Sequence, residues 1–250
     1  MALTKAKGNM YGWCSHTHSH LRGKCPHGCS YCYVQAMERR YGTGRYAGEL
    51  RLDEASLKVK YGTGKTIFID HCNDLFAEAV PEDWIIAVFE QCKAWPDNTY
   101  VFQSKNPARM MRWRPNMPPN VMLGMTVETD DDALSMSISE TPQPTDRICD
   151  WIDFFVPDGH TQTFITVEPI LRMRDPVAFA RDIAACKPGF VNVGADSKGT
   201  GLGEPSAADV RLFLDELAAC GVTVRQKTNL ERIINTGREA QDAAQEKTNE

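Results

Sequence analysis

From residue 66 onward, short apolar and β-branched runs alternate with stretches whose apolar positions recur every three to four residues. TIFID (66–70) reads as a strand. PEDWIIAVFEQCKAW (81–95) opens like a helix at Pro81-Glu82-Asp83 and carries an apolar stripe of Ile85, Val88, Phe89 and Cys92. TYVFQSK (99–105) and VMLGMTVE (121–128) read as the next strands. A helical stretch follows near 130–140, and Ile148-Cys149-Asp150-Trp151 reads as part of the next connection. TFITVEPIL (163–171) is a strand with DPVAFARDIAAC (175–186) as its helix. FVNVGAD (190–196) is followed by the helix SAADVRLFLDELAACG (206–221), closed at Gly221, and VTVRQKT (222–228) is a last strand.

This alternation predicts an α/β fold with a parallel sheet, closed fully or partly into a barrel. In such barrels the chemistry lies at the C-terminal ends of the strands. Those ends carry Asp70-His71-Cys72-Asn73-Asp74, Ser104-Lys105, Thr126, Glu128, Glu168, Asp196 and Gln226-Lys227. For each of these side chains the competing role is to cap the next helix, a role for which lysine is poorly suited. The chain shows no internal repeat. Residues 1–232 read as one domain and 233–250 as a polar, flexible tail.

At 250 residues the chain is long enough for one substantial core. No run approaches the roughly 18 apolar residues of a membrane span, and MALTKAKGNMYGW has no signal-peptide core. The expectation is therefore a cytoplasmic protein. Nine cysteines in that compartment imply thiols and metal ligation, not disulfides. Cys92, Cys186 and Cys220 lie in helical patterns and read as core residues, and Cys14 and Cys149 carry no further reading. The net charge of −5 is uneven: residues 1–65 hold 11 Lys/Arg against 4 Asp/Glu, a balance of +7 that leaves −12 for the rest. That basic third could face phosphates or be a scattered solvated surface. Lys105, Arg109, Arg112 and Arg114, with Trp113 among them, form a second basic group of a kind that suits nucleic acid, unless Trp113 is core.

The sharpest chemistry is Cys25, Cys29 and Cys32, spaced C-x3-C-x2-C in KCPHGCSYCYVQ. Three thiolates this close can hold three corners of a cubane [4Fe–4S] cluster and leave one iron open for a substrate or cofactor. Pro26 and Gly28 keep the segment a loop. The alternatives are a zinc knuckle completed by a nearby histidine and three unrelated buried thiols. The row His16, His18, His20 could put imidazoles on one strand face as a second metal site, or line the mouth of the site with polar groups. YGTGRY and YGTGKT lack the spacing of a phosphate loop and read as turns.

The C-x3-C-x-Y-C-Y pattern resembles the signature of the radical S-adenosylmethionine (SAM) superfamily. That resemblance implies a partial (β/α)6 TIM-like barrel with an N-terminal cluster-binding loop. It also implies SAM on the open iron, its reductive cleavage to a 5′-deoxyadenosyl radical, and an external one-electron donor of the flavodoxin or ferredoxin type. The order DHCNDLF, VFQSKNPARM, LGMTVET, ITVEPIL, VNVGADS, VRQKT resembles small phage- and prophage-associated radical SAM proteins over roughly residues 10–230. Those proteins are related to the spore photoproduct lyases, and a phage origin would place this chain in the host cytoplasm.

Residue by residue, the resemblance implies that Tyr33 lies beside the adenine and that Asn73 and Asp74 contact the methionine end of SAM. It implies that Lys105 pairs with the SAM carboxylate and Thr126 lies near the ribose. Glu128 and Glu168 are open between ribose and substrate. One departure stands out. The lyases carry a hydrogen-donating cysteine three residues before the aspartate, where this chain has His71; Cys72 lies only two before Asp74. Cys72 is then a candidate hydrogen donor or a buried inert thiol, and thymine-dimer repair itself is in doubt. The implied substrate is a nucleobase in DNA, extruded if the DNA is duplex, or a nucleotide. A peptide or small metabolite, or a non-catalytic cluster- or zinc-binding interaction protein, are the alternatives.

Overall fold

The computed structural model of the protein describes residues 3–8, 10–159 and 162–235. The chain divides into two compact units: one runs to residue 125 and takes in 138–142; the other comprises 126–137 and the chain from 143 onward. Most of the polar tail expected over 233–250 lies outside the described residues.

The first unit begins with β1 (Thr4–Lys5), β2 (His16–His18) and β3 (Leu21–Arg22). The cluster-loop segment then leads into α1 (Tyr33–Tyr41), followed by β4 (Arg51–Leu52), β5 (Thr66–Ile69), α2 (Glu82–Lys93) and β6 (Thr99–Ser104). It closes with α3 (Pro107–Arg112) and β7 (Val121–Thr126), whose last residue falls in the second unit. β1 pairs antiparallel with β2, and β2, β5, β6 and β7 pair in parallel in that order. β3 and β4 form a separate antiparallel ribbon. The apolar stripe of α2 (Ile85, Val88, Phe89, Cys92) is fully buried. Each such side chain contributes on the order of 1.5–3 kcal/mol. Phe89 meets Phe102 of β6 edge-on at 5.4 Å, and Phe76 meets Phe102 at 6.0 Å. Glu82 and Asp83 sit in the first turn of α2, where carboxylates oppose the helix dipole.

The second unit carries α4 (Asp132–Ile138), α5 (Pro144–Asp150), α6 (Val156–Asp158), β8 (Thr163–Val167), α7 (Pro176–Ala185), β9 (Phe190–Val193), α8 (Ala207–Ala219) and β10 (Val224–Gln226). β8, β9 and β10 pair in parallel. Asp175 and Ser206 cap α7 and α8 by accepting from backbone N–H groups of the first turn. Phe179 and Phe213 stack between these two helices at 5.2 Å. The expected α/β class with a mostly parallel strand pattern is therefore what forms.

Several sequence expectations are corrected. Residues 148–151 do not lie in a connection: they continue α5 into a π-helical turn, Trp151–Phe155. Pro144 starts that helix, and Arg147, Ile148 and Trp151 bury one face of it. Cys220, unlike the buried Cys92 and Cys186, is exposed because it falls just past the last turn of α8. Arg109 is not part of a basic surface. Its guanidinium is buried and donates to the Ala77 and Val80 carbonyls, while Trp113 packs edge-on to Phe89. No helix among the described residues is long and apolar enough to cross a membrane.

The end of β5 is fixed by a buried polar network. Asp70 has a positive φ of 53°, uncommon for a non-glycine residue. Its carboxylate accepts the backbone N–H groups of His20 and Leu21 at 2.6 and 2.9 Å and pairs with His20 Nδ1 at 3.0 Å. His20 Nε2 meets the Tyr61 hydroxyl and Gln91 Oε1, each at 2.9 Å, and Gln91 donates to the Ser56 and Val59 carbonyls. His18 Nε2 also bonds the Ser56 carbonyl. The histidine row therefore does not line the mouth of a site: His18 and His20 are buried partners of this network, and only His16 is partly exposed. Burial alone would raise the Asp70 carboxyl; the His20 ring and the backbone donors outweigh it and hold it low. Replacing Asp70 by Ala strands two backbone donors and an imidazole, so its unfolding free energy should fall by about 3–5 kcal/mol. Asp70→Asn, which keeps an acceptor, should lose less. Urea denaturation measures both, and equal losses would contradict the hydrogen-bonding part of this account.

Candidate cluster and cofactor site

The cysteine loop is two successive turns. Gly28 N–H donates to the Cys25 carbonyl at 3.2 Å, and Cys32 N–H to the Cys29 carbonyl at 3.1 Å. Gly28 takes a φ of 55°, which glycine adopts without strain. Cys32 then occupies the N-cap position of α1. All three thiols are free of disulfides and half-buried. Burial pushes the Cys25 thiol up to about 12, with the Asp74 carboxylate adding to the shift, and burial raises Cys32 as well. A metal cation that binds such a sulfur stabilises the thiolate and displaces its proton to solvent.

Asp74 ties this loop to the sheet. Its buried carboxylate pairs with His27 Nε2 at 2.8 Å and accepts the Ser104 hydroxyl at 2.9 and 3.0 Å. It also accepts the backbone N–H groups of Lys105 at 2.8 Å and Phe76 at 2.9 Å. Burial opposes the charge, but His27 and these donors hold the Asp74 carboxyl below its usual range. Lys105 Nζ lies 3.3 Å from Cys29 Sγ and 4.4 Å from the Tyr31 ring centroid, and it bonds the Tyr31 hydroxyl. Asn73 donates through Nδ2 to the Gly23 carbonyl at 3.2 Å. Its Oδ1 is buried without a hydrogen-bond partner among the described residues. Flipping the amide would set oxygen against oxygen at Gly23, so the orphan acceptor is genuine and calls for a donor.

Tyr33 opens α1 and donates to the His71 carbonyl at 2.9 Å. Beside it, Cys72 Sγ lies 3.2 Å from His71 Nε2 and 3.7 Å from the Tyr33 hydroxyl. Burial would raise the Cys72 thiol, but the His71 ring and the Tyr46 and Tyr33 hydroxyls outweigh it and hold the thiol low. Cys72 packs with Val34, Tyr46, Cys32 and Met37. The structure thus gathers Cys25, Cys29, Cys32, Tyr33, Cys72, Asn73, Asp74 and Lys105 in the first unit.

Thr126, Glu128 and Glu168 belong to the second unit. Thr126 ends β7, and its carbonyl accepts Arg147 Nη1 at 2.6 Å. Glu128 is buried against the same guanidinium at 2.9 Å. Both Glu168 oxygens bond Lys227 Nζ, at 3.0 and 2.8 Å. Sequence reasoning missed His27, Tyr31 and Tyr46 as neighbours of the candidate site. His27 lies inside the cysteine motif and could have been suspected, whereas Tyr46, in a glycine-rich turn, carried no signal.

The family described as "Protein of unknown function (DUF5131)" matches residues 9–143. The chain belongs to this family. The matched part of this DUF5131 protein takes in the cysteine loop, the Asp70–Asp74 segment and Lys105. No curated protein matches its sequence. Among solved structures it is similar to spore photoproduct lyase complexed with dinucleoside spore photoproduct, at 11% identity and a TM-score of 0.54. That match covers 86% of this chain and 64% of the lyase chain, so the DUF5131 protein spans less than two thirds of the lyase's length. A radical SAM methyltransferase from Sphaerobacter thermophilus matches at 15% identity and a TM-score of 0.51, over 87% of this chain and 67% of that one. A lyase mutant with bound AdoMet and the same dinucleoside matches at 12% identity and a TM-score of 0.53, over 85% and 64%. At these identities the likeness establishes a radical SAM-like fold.

Among the described residues, no three His, Cys, Asp or Glu side chains are gathered as ligands of one metal ion. A cubane asks for something different, because each thiolate takes its own iron. Three free thiols on successive turns, beside a lysine and an orphan acceptor, are a donor set that fits such a cluster. The Asp74 clamp makes a specific demand on that fit. Asp74→Ala should lower unfolding free energy by about 3–5 kcal/mol and reduce iron and sulfide bound after anaerobic reconstitution. Asp74→Asn should retain more of both. Full iron loading in the alanine variant would show that the clamp does not hold the loop.

Proposed function

We propose that this protein is a radical SAM enzyme that acts on a nucleobase in DNA or on a nucleotide. Cys25, Cys29 and Cys32 would hold a [4Fe–4S] cluster, with SAM at its open iron. When bound and reduced by an external one-electron donor, that pair supplies reductive cleavage of SAM and a 5′-deoxyadenosyl radical that abstracts hydrogen from substrate. The reading is carried by one juxtaposition: three free thiols on two turns, with the Lys105 ammonium 3.3 Å from Cys29. The radical SAM-like fold supports it.

The chain's own residues do the placing. Lys105 supplies a point charge for the SAM carboxylate, and Asn73 Oδ1 accepts from its amino group. Tyr33, 39% exposed at the start of α1, offers a ring face to the adenine. Asp74 acts through His27 and the Lys105 backbone, holding the loop and the lysine in fixed relation. Thr126, Glu128 and Glu168 are assigned to the ribose and substrate side, where Arg147 and Lys227 orient the two carboxylates. Cys72 is assigned as hydrogen donor, with His71 and the two tyrosine hydroxyls polarising its thiol. A cluster held by thiolates needs a reducing compartment, which favours the cytoplasm. The nucleobase assignment draws on the basic first 65 residues and on the nucleoside ligand of the lyase whose fold this chain resembles.

Anaerobic reconstitution followed by dithionite and SAM should release 5′-deoxyadenosine, and Cys29→Ala should abolish that release. A purified protein that binds zinc and no iron would overturn this reading in favour of an interaction protein. Cys72→Ala should slow product formation and change the product distribution while SAM cleavage persists. Unchanged turnover and products would remove Cys72 from the mechanism.

A further inference from the structure

The first unit carries a basic platform built onto the entrance of the cysteine loop. Between residues 23 and 51 the sequence has five cations, Lys24, Arg39, Arg40, Arg45 and Arg51, and two carboxylates, Glu38 and Glu49. All five cations are exposed, whereas Glu38 is buried. Glu38 is committed inward: it accepts the Thr43 hydroxyl at 2.8 Å and the backbone N–H groups of Gly44 and Tyr46. It therefore folds the 43–46 loop over itself and leaves the outer face cationic, with Glu49 the single exposed carboxylate of the segment.

The pieces are held together by the backbone. Gly23 N–H donates to the Arg45 carbonyl at 2.9 Å, and Lys24 N–H to the Gly48 carbonyl at 3.0 Å. Arg51 reaches back to the Gly44 carbonyl at 3.4 Å. The approach at Gly23 is so close that an added Cβ would lie 1.9 Å from the Glu49 carbonyl oxygen. The platform is thus locked to the residues just before Cys25. At its edge, α1 ends in Arg39, Arg40 and Tyr41. Tyr41 is 64% exposed, and the Arg40 guanidinium lies 5.3 Å from its ring centroid. The next residue in the loop after Arg45 is Tyr46, which packs inward against Cys72.

We infer that this platform is the landing surface for a polynucleotide strand, with the arginines and Lys24 on phosphates and Tyr41 stacking on a base. The inference rests on the reading of the neighbouring cysteine loop as a centre acting on nucleobases, and it names that substrate as polymeric. Clustered arginines match phosphate geometry, and an exposed aromatic among them suits the faces of unpaired bases. Arg39 and Arg40 also complement the C-terminal dipole of α1. That role alone would affect melting temperature and leave salt dependence untouched.

The test uses the full chain and a fluorescein-labelled, mixed-sequence single-stranded 20-mer, with affinity read by anisotropy across a potassium chloride series. Each phosphate contact should add about −0.7 to the slope of log K against log salt. Five contacts would then cost about 130-fold in affinity between about 50 and 200 mM salt. Arg45→Gln with Arg51→Gln should shallow the slope by about 1.4, while Lys93→Gln on α2 should leave it unchanged. Hydrogen exchange on the unmodified chain should show protection of residues 39–51 by the oligonucleotide, a readout that needs no variant to fold. An unchanged slope in the double variant, or no protection at 39–51, would overturn the surface. Equal, equally salt-dependent binding of poly-glutamate would overturn the nucleic-acid assignment. If no oligonucleotide binds while 5′-deoxyadenosine is still released, this inference fails and the radical SAM reading stands. Intact oligonucleotide binding by a protein that takes up no cluster would leave the landing surface standing and overturn the radical SAM reading.

Discussion

The candidate site depends on one buried carboxylate. A charge as enclosed as Asp74 is tolerated only where its oxygens are hydrogen-bonded and a cation is near. Here the donors come from three separate pieces of chain: His27 within the cysteine motif, Phe76 just downstream of Asp74, and Ser104-Lys105 at the end of β6. Satisfying one carboxylate therefore fixes the positions of all three. The cysteine loop has little apolar surface of its own, so this polar clamp supplies the rigidity that a larger core would otherwise give. The same contact orients the Lys105 backbone, and its ammonium is thereby directed to Cys29.

Asp70 works the same way one turn earlier. A residue at the end of a parallel strand must turn the chain out of the sheet, and the positive φ of Asp70 makes that turn. Left-handed backbone is unfavourable for a side chain larger than glycine's, by about 1–2 kcal/mol. The three hydrogen bonds from His20 and Leu21 offset that cost. The turn delivers His71, Cys72, Asn73 and Asp74 in sequence, and each ends in a different environment. His71 and Cys72 face Tyr33 and Tyr46, Asn73 faces Gly23, and Asp74 points into the clamp. Two buried aspartates four residues apart thus frame the segment that holds the candidate chemistry. The strand supplies the direction, and the polar networks supply the fixed geometry.

Charge is segregated on the same principle. Arg22, Arg109 and Arg147 are buried with carboxylate or carbonyl partners, whereas the cations of residues 24–51 are exposed. An arginine's place in the sequence says nothing about which of these it will be. Arg109 and Arg112 lie one helical turn apart, yet only Arg112 is exposed. What decides is whether backbone carbonyls such as those of Ala77 and Val80 lie within reach once the chain has folded.

The sequence by itself determined the α/β class, most of the strands and helices from residue 66 onward and the cysteine motif, because these follow from local periodicity and short spacing. Strand-end polarity also pointed to Asn73, Asp74 and Lys105, and folding sets Asp74 against His27 and Lys105 beside Cys29 of that motif. Only the tertiary structure decided what each polar residue does. The pairing of His27 with Asp74, the burial of His18 and His20, the commitment of Glu38 to the 43–46 loop and the extension of α5 through Trp151 depend on groups brought together by folding. Periodicity reports which face of an element is apolar. It carries no information about which distant donor will satisfy a buried acceptor, and that pairing sets the geometry of this site.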